Sequence, residues 1–110
     1  MSETLTLRVK RKLNITWEDA VTDARVEDIM ESVDPWLRHK LGIADAAFDF
    51  DTPGTERDLF LSCCLYDWNH ISRDEFEENY KHTIANVRAR YEVENYLKEQ
   101  EAAADGEAEA

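Results

Sequence analysis

The segment from Ser72 to Lys98 carries two apolar stripes at the helical period, and this pattern constrains the fold more than any other feature. Ser72, with Glu75 three residues later, forms a capping box. We therefore expect a helix that begins here and runs for about 26 residues, or roughly 39 Å. The first stripe consists of Phe76, Tyr80, Ile84, Val87 and Tyr91, and the second stripe of Ala85, Ala89, Val93, Tyr96 and Leu97.

The two stripes lie on different sides of this helix, and a single small domain can cover only one of them. A chain of 110 residues leaves a large share of its apolar surface exposed even when folded. The second stripe therefore predicts a partner, and self-association is the simplest source of one. We take Tyr91, Val93, Tyr96 and Leu97 as candidate residues of an interface with sister subunits or with a neighbouring protein.

Three shorter helices are predicted before this one. The first runs from about Glu3 to Leu13, although alternating apolar residues in this segment are also compatible with a strand. Thr16 begins a sequence that resembles a capping box. The second helix is expected to start at Thr22 or Asp23, either of which can cap free amides.

The second helix is predicted to stop at Gly42, which adopts the left-handed conformation at low cost. Pro35 interrupts its pattern, and because the apolar phase continues past this residue we expect a kink. Residues 43–54 form a connector from which three side chains should enter the bundle, namely Ala47, Phe48 and Phe50. The third helix is predicted from about Thr55 to Asn69 and is apolar on almost every face, so it should be buried.

The composition favours an all-α fold. Three glycines and two prolines encode too few tight turns for a β-sandwich. We predict a small bundle of about four helices in one domain, residues 1–98, with the long helix at its C-terminal end. Residues 99–110 contain only Ala and acidic residues apart from Gln100 and Gly106, and we expect this acidic tail to be disordered in isolation.

The charge of the chain is strongly acidic but uneven. The net charge is −12, which favours solubility and opposes binding to nucleic acid. Four bases and no acid occupy residues 8–12, and we call Arg8, Lys10, Arg11 and Lys12 the basic segment. Because the overall charge opposes DNA binding, we interpret Arg8, Lys10 and Arg11 as solvated surface or subunit contacts rather than as a phosphate site.

No pattern in the sequence indicates catalysis, a cofactor or a metal. Cys63 and Cys64 are adjacent and fit no zinc spacing, so reduced thiols are the simplest interpretation. Cys64 and His70 are six residues apart, which does not place them on one helix face. We expect neither an enzyme nor a membrane protein, since no apolar run approaches the length of a bilayer span. The expected location is the cytoplasm of the cell that makes the protein.

Five segments, in this order, carry a resemblance to a known group of proteins. They are LRVKRKLNITWED (7–19), TDARVEDIME (22–31), ERDLFL (56–61), FEENY (76–80) and RARYEVE (88–94). Together they resemble the head–tail connector (adaptor, or head-completion) proteins of long-tailed phages and prophages. The likeness covers roughly residues 5–97 and lies in the order of the segments, since no single motif is diagnostic. Pro35 and the acidic tail depart from the family pattern.

The resemblance implies a structural virion protein without catalytic residues. Its copies would form a ring, commonly a dodecamer, beneath the portal protein and above a stopper or tail-completion protein. DNA would pass through the lumen only as cargo, and an acidic lumen would repel it. The resemblance further implies assembly in the host cytoplasm and a final position at the head–tail interface of the virion.

Two other functions remain open. A small acidic helical protein can act as a regulatory inhibitor that mimics the charge of DNA, in which case it should stay monomeric or dimeric and bind a basic protein. A small enzyme with a metal site built from His and acidic residues is the third possibility, which metal analysis of the purified protein would test.

Overall fold

The computed structural model describes the backbone of residues 3–109 and the side chains of residues 3–103. Within this part of the chain there are four α-helices and no strand. They are α1 (Glu3–Lys12), α2 (Ala20–Leu41), α3 (Thr55–Trp68) and α4 (Arg73–Glu109). The predicted all-α bundle with a long C-terminal helix is therefore confirmed.

Helix α1 packs by the face that its every-fourth-residue spacing predicts. Leu5, Val9 and Leu13 are buried, so this segment is a helix and not the strand that its alternating apolar residues also allowed. The helix ends with Asn14 in the left-handed conformation, at φ 59°. The amide of Ile15 donates to the carbonyl of Lys10 at 2.9 Å, which completes a Schellman motif and places Ile15 in the core.

The N-terminus of α2 lies before the predicted one. Asp19 is the capping residue, and its carboxylate accepts hydrogen bonds from both the amide and the hydroxyl of Thr22, at 3.2 and 2.9 Å. The prediction that Thr22 or Asp23 caps the helix was wrong, because Asp19 caps it about one turn earlier and Thr22 already lies in the first turn. Trp17 is 51% exposed, and its indole N–H donates to the Thr22 hydroxyl at 3.3 Å.

The C-terminus of α2 lies where the sequence predicts it. Gly42 has φ 74°, and its amide donates to the carbonyl of His39 while that of Ile43 donates to Arg38. The helix continues through Pro35, which is exposed, and the predicted kink at this residue stays a prediction. Five residues bury the inner face of α2, namely Val26, Met30, Val33, Leu37 and Leu41.

The connector between α2 and α3 closes one side of the core. Phe50 is buried and stacks on Phe60 with ring centroids 4.9 Å apart, while Phe48 is half-buried against it. Arg38 holds this segment because its guanidinium donates to the carbonyl of Phe48. Ala47 is exposed, so the prediction that it enters the bundle was wrong; a methyl group adds too little apolar area to hold the loop tip inward.

Helix α3 is the central element, as its apolar sequence predicts. It packs against α1, α2 and α4, and it buries Leu59, Phe60, Ser62, Cys63 and Cys64. The remaining residues of its second half are partly buried. The core of the molecule is therefore organised around this helix rather than around the longer α4.

Helix α4 begins as predicted and ends later. The Ser72 hydroxyl accepts a hydrogen bond from the Glu75 amide at 3.2 Å. The helix continues past the predicted end at Lys98 to Glu109, because Ala and Glu in this segment are strong helix formers. Disorder was therefore the wrong prediction for residues 99–103, which are helical and exposed. The side chains of 104–109 and all of residue 110, which belong to the predicted tail, lie outside the described residues.

Candidate self-association surface

The first stripe of α4 is covered by the chain's own body. Phe76 and Val87 are buried, and Tyr80, Ile84 and Tyr91 pack partly buried against the core. The Phe76 ring contacts three aromatic neighbours, with ring centroids 6.1 Å from Trp36, 5.4 Å from Tyr66 and 4.9 Å from Tyr80. This aromatic cluster fixes the N-terminal half of α4 to α2 and α3.

The second stripe of α4 faces solvent along its whole length. Val93, Tyr96 and Leu97 are 59%, 59% and 55% exposed, and Ala85 and Ala89 are exposed as well. By the helical period, this stripe lies on the side of α4 opposite the first stripe. The two-stripe prediction thus holds in the single chain: the fold covers one stripe and leaves the other open.

A junction marks the place where α4 leaves the body. Tyr91 is half-buried, and its hydroxyl donates to Glu56 at 3.3 Å, while the guanidinium of Arg90 donates to the same carboxylate at 2.7 Å. Burial, followed by the negative charge of Glu56, raises the pKa of Tyr91. One turn later, the side-chain amide of Asn95 donates to the carbonyl of Gly42 at 3.2 Å.

Beyond this junction α4 projects from the body as a free rod. The molecule measures 59 × 29 × 19 Å, and a helix of 37 residues is about 55 Å long, so α4 alone accounts for the long dimension. Of the predicted interface residues on this helix, Tyr91 belongs to the junction, whereas Val93, Tyr96 and Leu97 belong to the exposed second stripe.

The three predicted basic interface residues lie in α1 and differ in their surroundings. Arg8 forms an ion pair with Asp51 of the connector at 3.1 Å, and Lys10 forms one with Asp23 of α2 at 2.6 Å. Arg11 is exposed and forms no ion pair within the described part of the chain. Two of the three therefore hold elements of their own chain together.

A groove that we call the basic groove lies between α1 and α3. It is lined by Arg8, Arg11, Lys12, Arg57, Asp58 and Leu61. Sequence reasoning missed the contributions of α3, because Arg57 and Leu61 are distant in sequence and only their shared orientation toward α1 brings them to the basic segment. Leu7, on the exposed face of α1, is 53% exposed.

The structure does not bring the two groups of predicted interface residues together. Helix α1 packs on α2 and α3, and among the described residues it makes no contact with α4. The second stripe and the basic groove are therefore two separate surfaces on one molecule.

The groups considered for chemistry are enclosed or paired. Burial raises the pKa of the Cys63 thiol to about 12, and it also raises that of Cys64, so neither is an activated nucleophile. Between residues 3 and 103, no set of His, Cys, Asp and Glu side chains is close enough to hold a metal ion. None of the described helices has the length and apolar character needed to cross a bilayer.

A second groove, beside the loop that joins α3 to α4, contains two arginines that are engaged internally. The Arg25 guanidinium lies 4.1 Å from the centre of the Trp68 ring and donates to the Trp68 carbonyl. Arg73 pairs with Asp67 at 2.9 Å, and this hydrogen bond raises its pKa. These contacts join α2, α3 and α4, and the lining of the groove balances its two arginines with Asp28 and Asp67.

Comparison with protein-family models, with curated proteins and with solved structures finds no significant match to this chain.

Proposed function

We propose that this protein is a non-enzymatic structural subunit that works by assembling with copies of itself into a ring, as phage head–tail connector proteins do. The observation that carries the proposal is the exposed second stripe. Its three large side chains lie on the face of α4 opposite the body, where the helix leaves that body, and the described part of the chain leaves them more than half exposed. Contiguous exposed apolar surface of this kind marks an interaction site.

The proposed setting is the vertex of a phage capsid. The ring lies beneath the portal and above a stopper or tail-completion protein, and DNA passes through its lumen. A net charge of −12 suits this role, because an acidic lumen repels phosphates and lets DNA slide. A chain of this size cannot enclose a channel alone, so closed cyclic symmetry is the economical way to build one.

Native mass spectrometry and electron microscopy of the purified full chain, alone and with a portal protein, test the proposal. We expect a closed ring with a central channel, and binding of that ring to the portal. The test variant replaces Val93, Tyr96 and Leu97 by Ser. Because these side chains make little contact with the body, the variant should fold but stay monomeric. A wild-type chain that is monomeric at every concentration, with and without portal, would refute the proposal.

DNA binding gives an independent test of the lumen. We expect weak affinity for duplex DNA even at low salt. DNA binding is driven by Lys and Arg side chains that neutralise phosphates, and acidic residues outnumber these bases in this chain. Tight binding that weakens steeply with added salt would contradict an acidic, sliding channel.

The acidity of the chain also supports a second candidate, an inhibitor that mimics the charge of DNA. The two functions differ in assembly: the mimic is a monomer or dimer that captures a basic DNA-binding protein through its acidic surface. A monomeric wild-type chain that binds such a protein, and loses it when exposed acidic residues are neutralised, would favour the mimic over the connector.

A further inference from the structure

We propose that the basic groove of one copy receives the acidic, apolar rod of the next copy. This inference rests on the proposed self-assembly and identifies its two contacting surfaces. The rod segment is residues 92–101 of α4, and the groove is the one between α1 and α3.

The rod carries acidic residues on both sides of its apolar stripe. Four exposed glutamates lie in this segment, namely Glu92, Glu94, Glu99 and Glu101. The helical period places Glu99 beside Tyr96, and Glu94 beside Leu97 on the opposite border of the stripe. Glu92 is already paired with Arg88 at 3.1 Å, so Glu94 and Glu99 are the better candidates for a contact outside the chain.

The groove has the complementary pattern. Its lining contains Arg8, Arg11, Lys12 and Arg57 with one acid, Asp58, and because Arg8 is paired with Asp51, the available positive charge comes mainly from the other three bases. Leu61 in its lining offers an apolar contact for Tyr96 or Leu97. In a chain with nearly twice as many acids as bases, such a concentration of positive charge needs a counterpart, and the flanking glutamates of the rod supply one.

The position of the two surfaces decides the kind of assembly. Because α1 and α4 make no contact, the groove and the rod of one copy cannot satisfy each other, as far as residues 3–103 show. A contact between two different patches is heterologous, and such contacts generate rings when the rotation closes. The charge complementarity thus predicts a head-to-tail arrangement rather than a two-fold symmetric dimer.

A charge-exchange experiment tests the pairing. One variant carries R11E and K12E in the groove, and the other carries E94K and E99K on the rod. All four side chains are exposed, and none forms an ion pair within the described chain, so both variants should keep the fold, which circular dichroism would verify. A control matched to the rod variant, E18K with E31K, makes the same charge change at two exposed positions outside both surfaces.

We expect each variant alone to lose at least about tenfold in its self-association constant, because like charges then face each other. An equimolar mixture should recover assembly as an alternating arrangement, since each exchanged surface then meets an opposite one. The control should assemble like the wild type.

The outcomes separate the two proposals. If both variants assemble like the wild type, the pairing is overturned and self-assembly by another surface remains. If each variant dissociates but the mixture does not recover, the two surfaces do not face each other and the pairing is overturned. If the wild-type chain does not assemble either alone or with a portal protein, both the pairing and the proposed function are overturned.

Discussion

Both halves of α4 carry apolar side chains at the helical period, but only the N-terminal half packs them against the rest of the molecule. The N-terminal half buries Phe76 and Val87 against two other helices, whereas the C-terminal half exposes Val93, Tyr96 and Leu97. Two things differ: the exposed residues belong to the stripe opposite the body, as Ala85 and Ala89 also do, and the body ends near Gly42 while α4 continues. A helix that is stable through packing in one half is marginal in the other, since isolated helices of this length have little stability in water.

The largest expected effect is on the packed half. Phe76→Ala should lower the free energy of unfolding by about 3–5 kcal/mol, because it removes the centre of an aromatic cluster and leaves a cavity. Leu97→Ala, its counterpart on the open half, should change the stability of the dilute monomer by less than about 0.5 kcal/mol. Denaturant unfolding measures both values. Equal losses for the two variants would erase the distinction between the halves.

The junction between the two halves should show an intermediate effect. Gly42→Ala should cost about 1–2 kcal/mol, because its φ of 74° is unfavourable for a residue with a Cβ atom. The new methyl group would lie 3.7 Å from Arg88 Cγ and 3.8 Å from Tyr91 Cβ, so the cost comes from the backbone and not from a clash. Gly42→Asn is the matched control, since Asn tolerates this conformation better. An unchanged unfolding midpoint in Gly42→Ala would contradict this reason.

A smaller effect is expected for the last anchor of α4. Asn95→Ala removes the hydrogen bond to the Gly42 carbonyl and should cost about 0.5–1.5 kcal/mol. Hydrogen exchange should quicken mainly beyond Asn95, because this contact lies at the boundary of the body. Faster exchange throughout the first half of α4 would place the boundary elsewhere.

The smallest effect concerns pH and the cap of α2, far from the rod. Hydrogen bonds from Thr22 lower the pKa of Asp19 below its ordinary value of 3.8. Its ionised form therefore stabilises the fold fully above that value, and this contribution is lost as the pH falls through the lower pKa of the folded chain. Asp19→Asn caps without titrating. The advantage of the wild type over this variant should shrink on acidification, measured by thermal unfolding, and an advantage that grows would contradict it.

Local patterns made the secondary structure largely predictable. The Ser72 cap, the Gly42 stop and the two stripes each depend on neighbouring residues, and the structure confirms all three. The start of α2 was missed because several capping residues follow one another there, and only the structure shows that Asp19 accepts the bonds. Helix at 99–103 was missed because a composition rich in acids suggests disorder, whereas Ala and Glu also favour helix.

The candidate site was predictable only in part. The period of α4 predicts which of its side chains share a face, so Val93, Tyr96 and Leu97 could be identified from the sequence. The ion pairs of Arg8 and Lys10 could not, because their partners Asp51 and Asp23 come close only through tertiary packing. The contribution of Arg57 to the basic groove was hidden for the same reason.

Hydrogen–deuterium exchange of residues 93–101, followed over a concentration series of the purified chain, tests the central claim most directly. Our account predicts rapid exchange in the dilute monomer and strong protection once copies cover the second stripe, while the first half of α4 stays protected throughout. Exchange at residues 93–101 that is the same at every concentration would show that sister chains do not cover this surface, and would contradict the account.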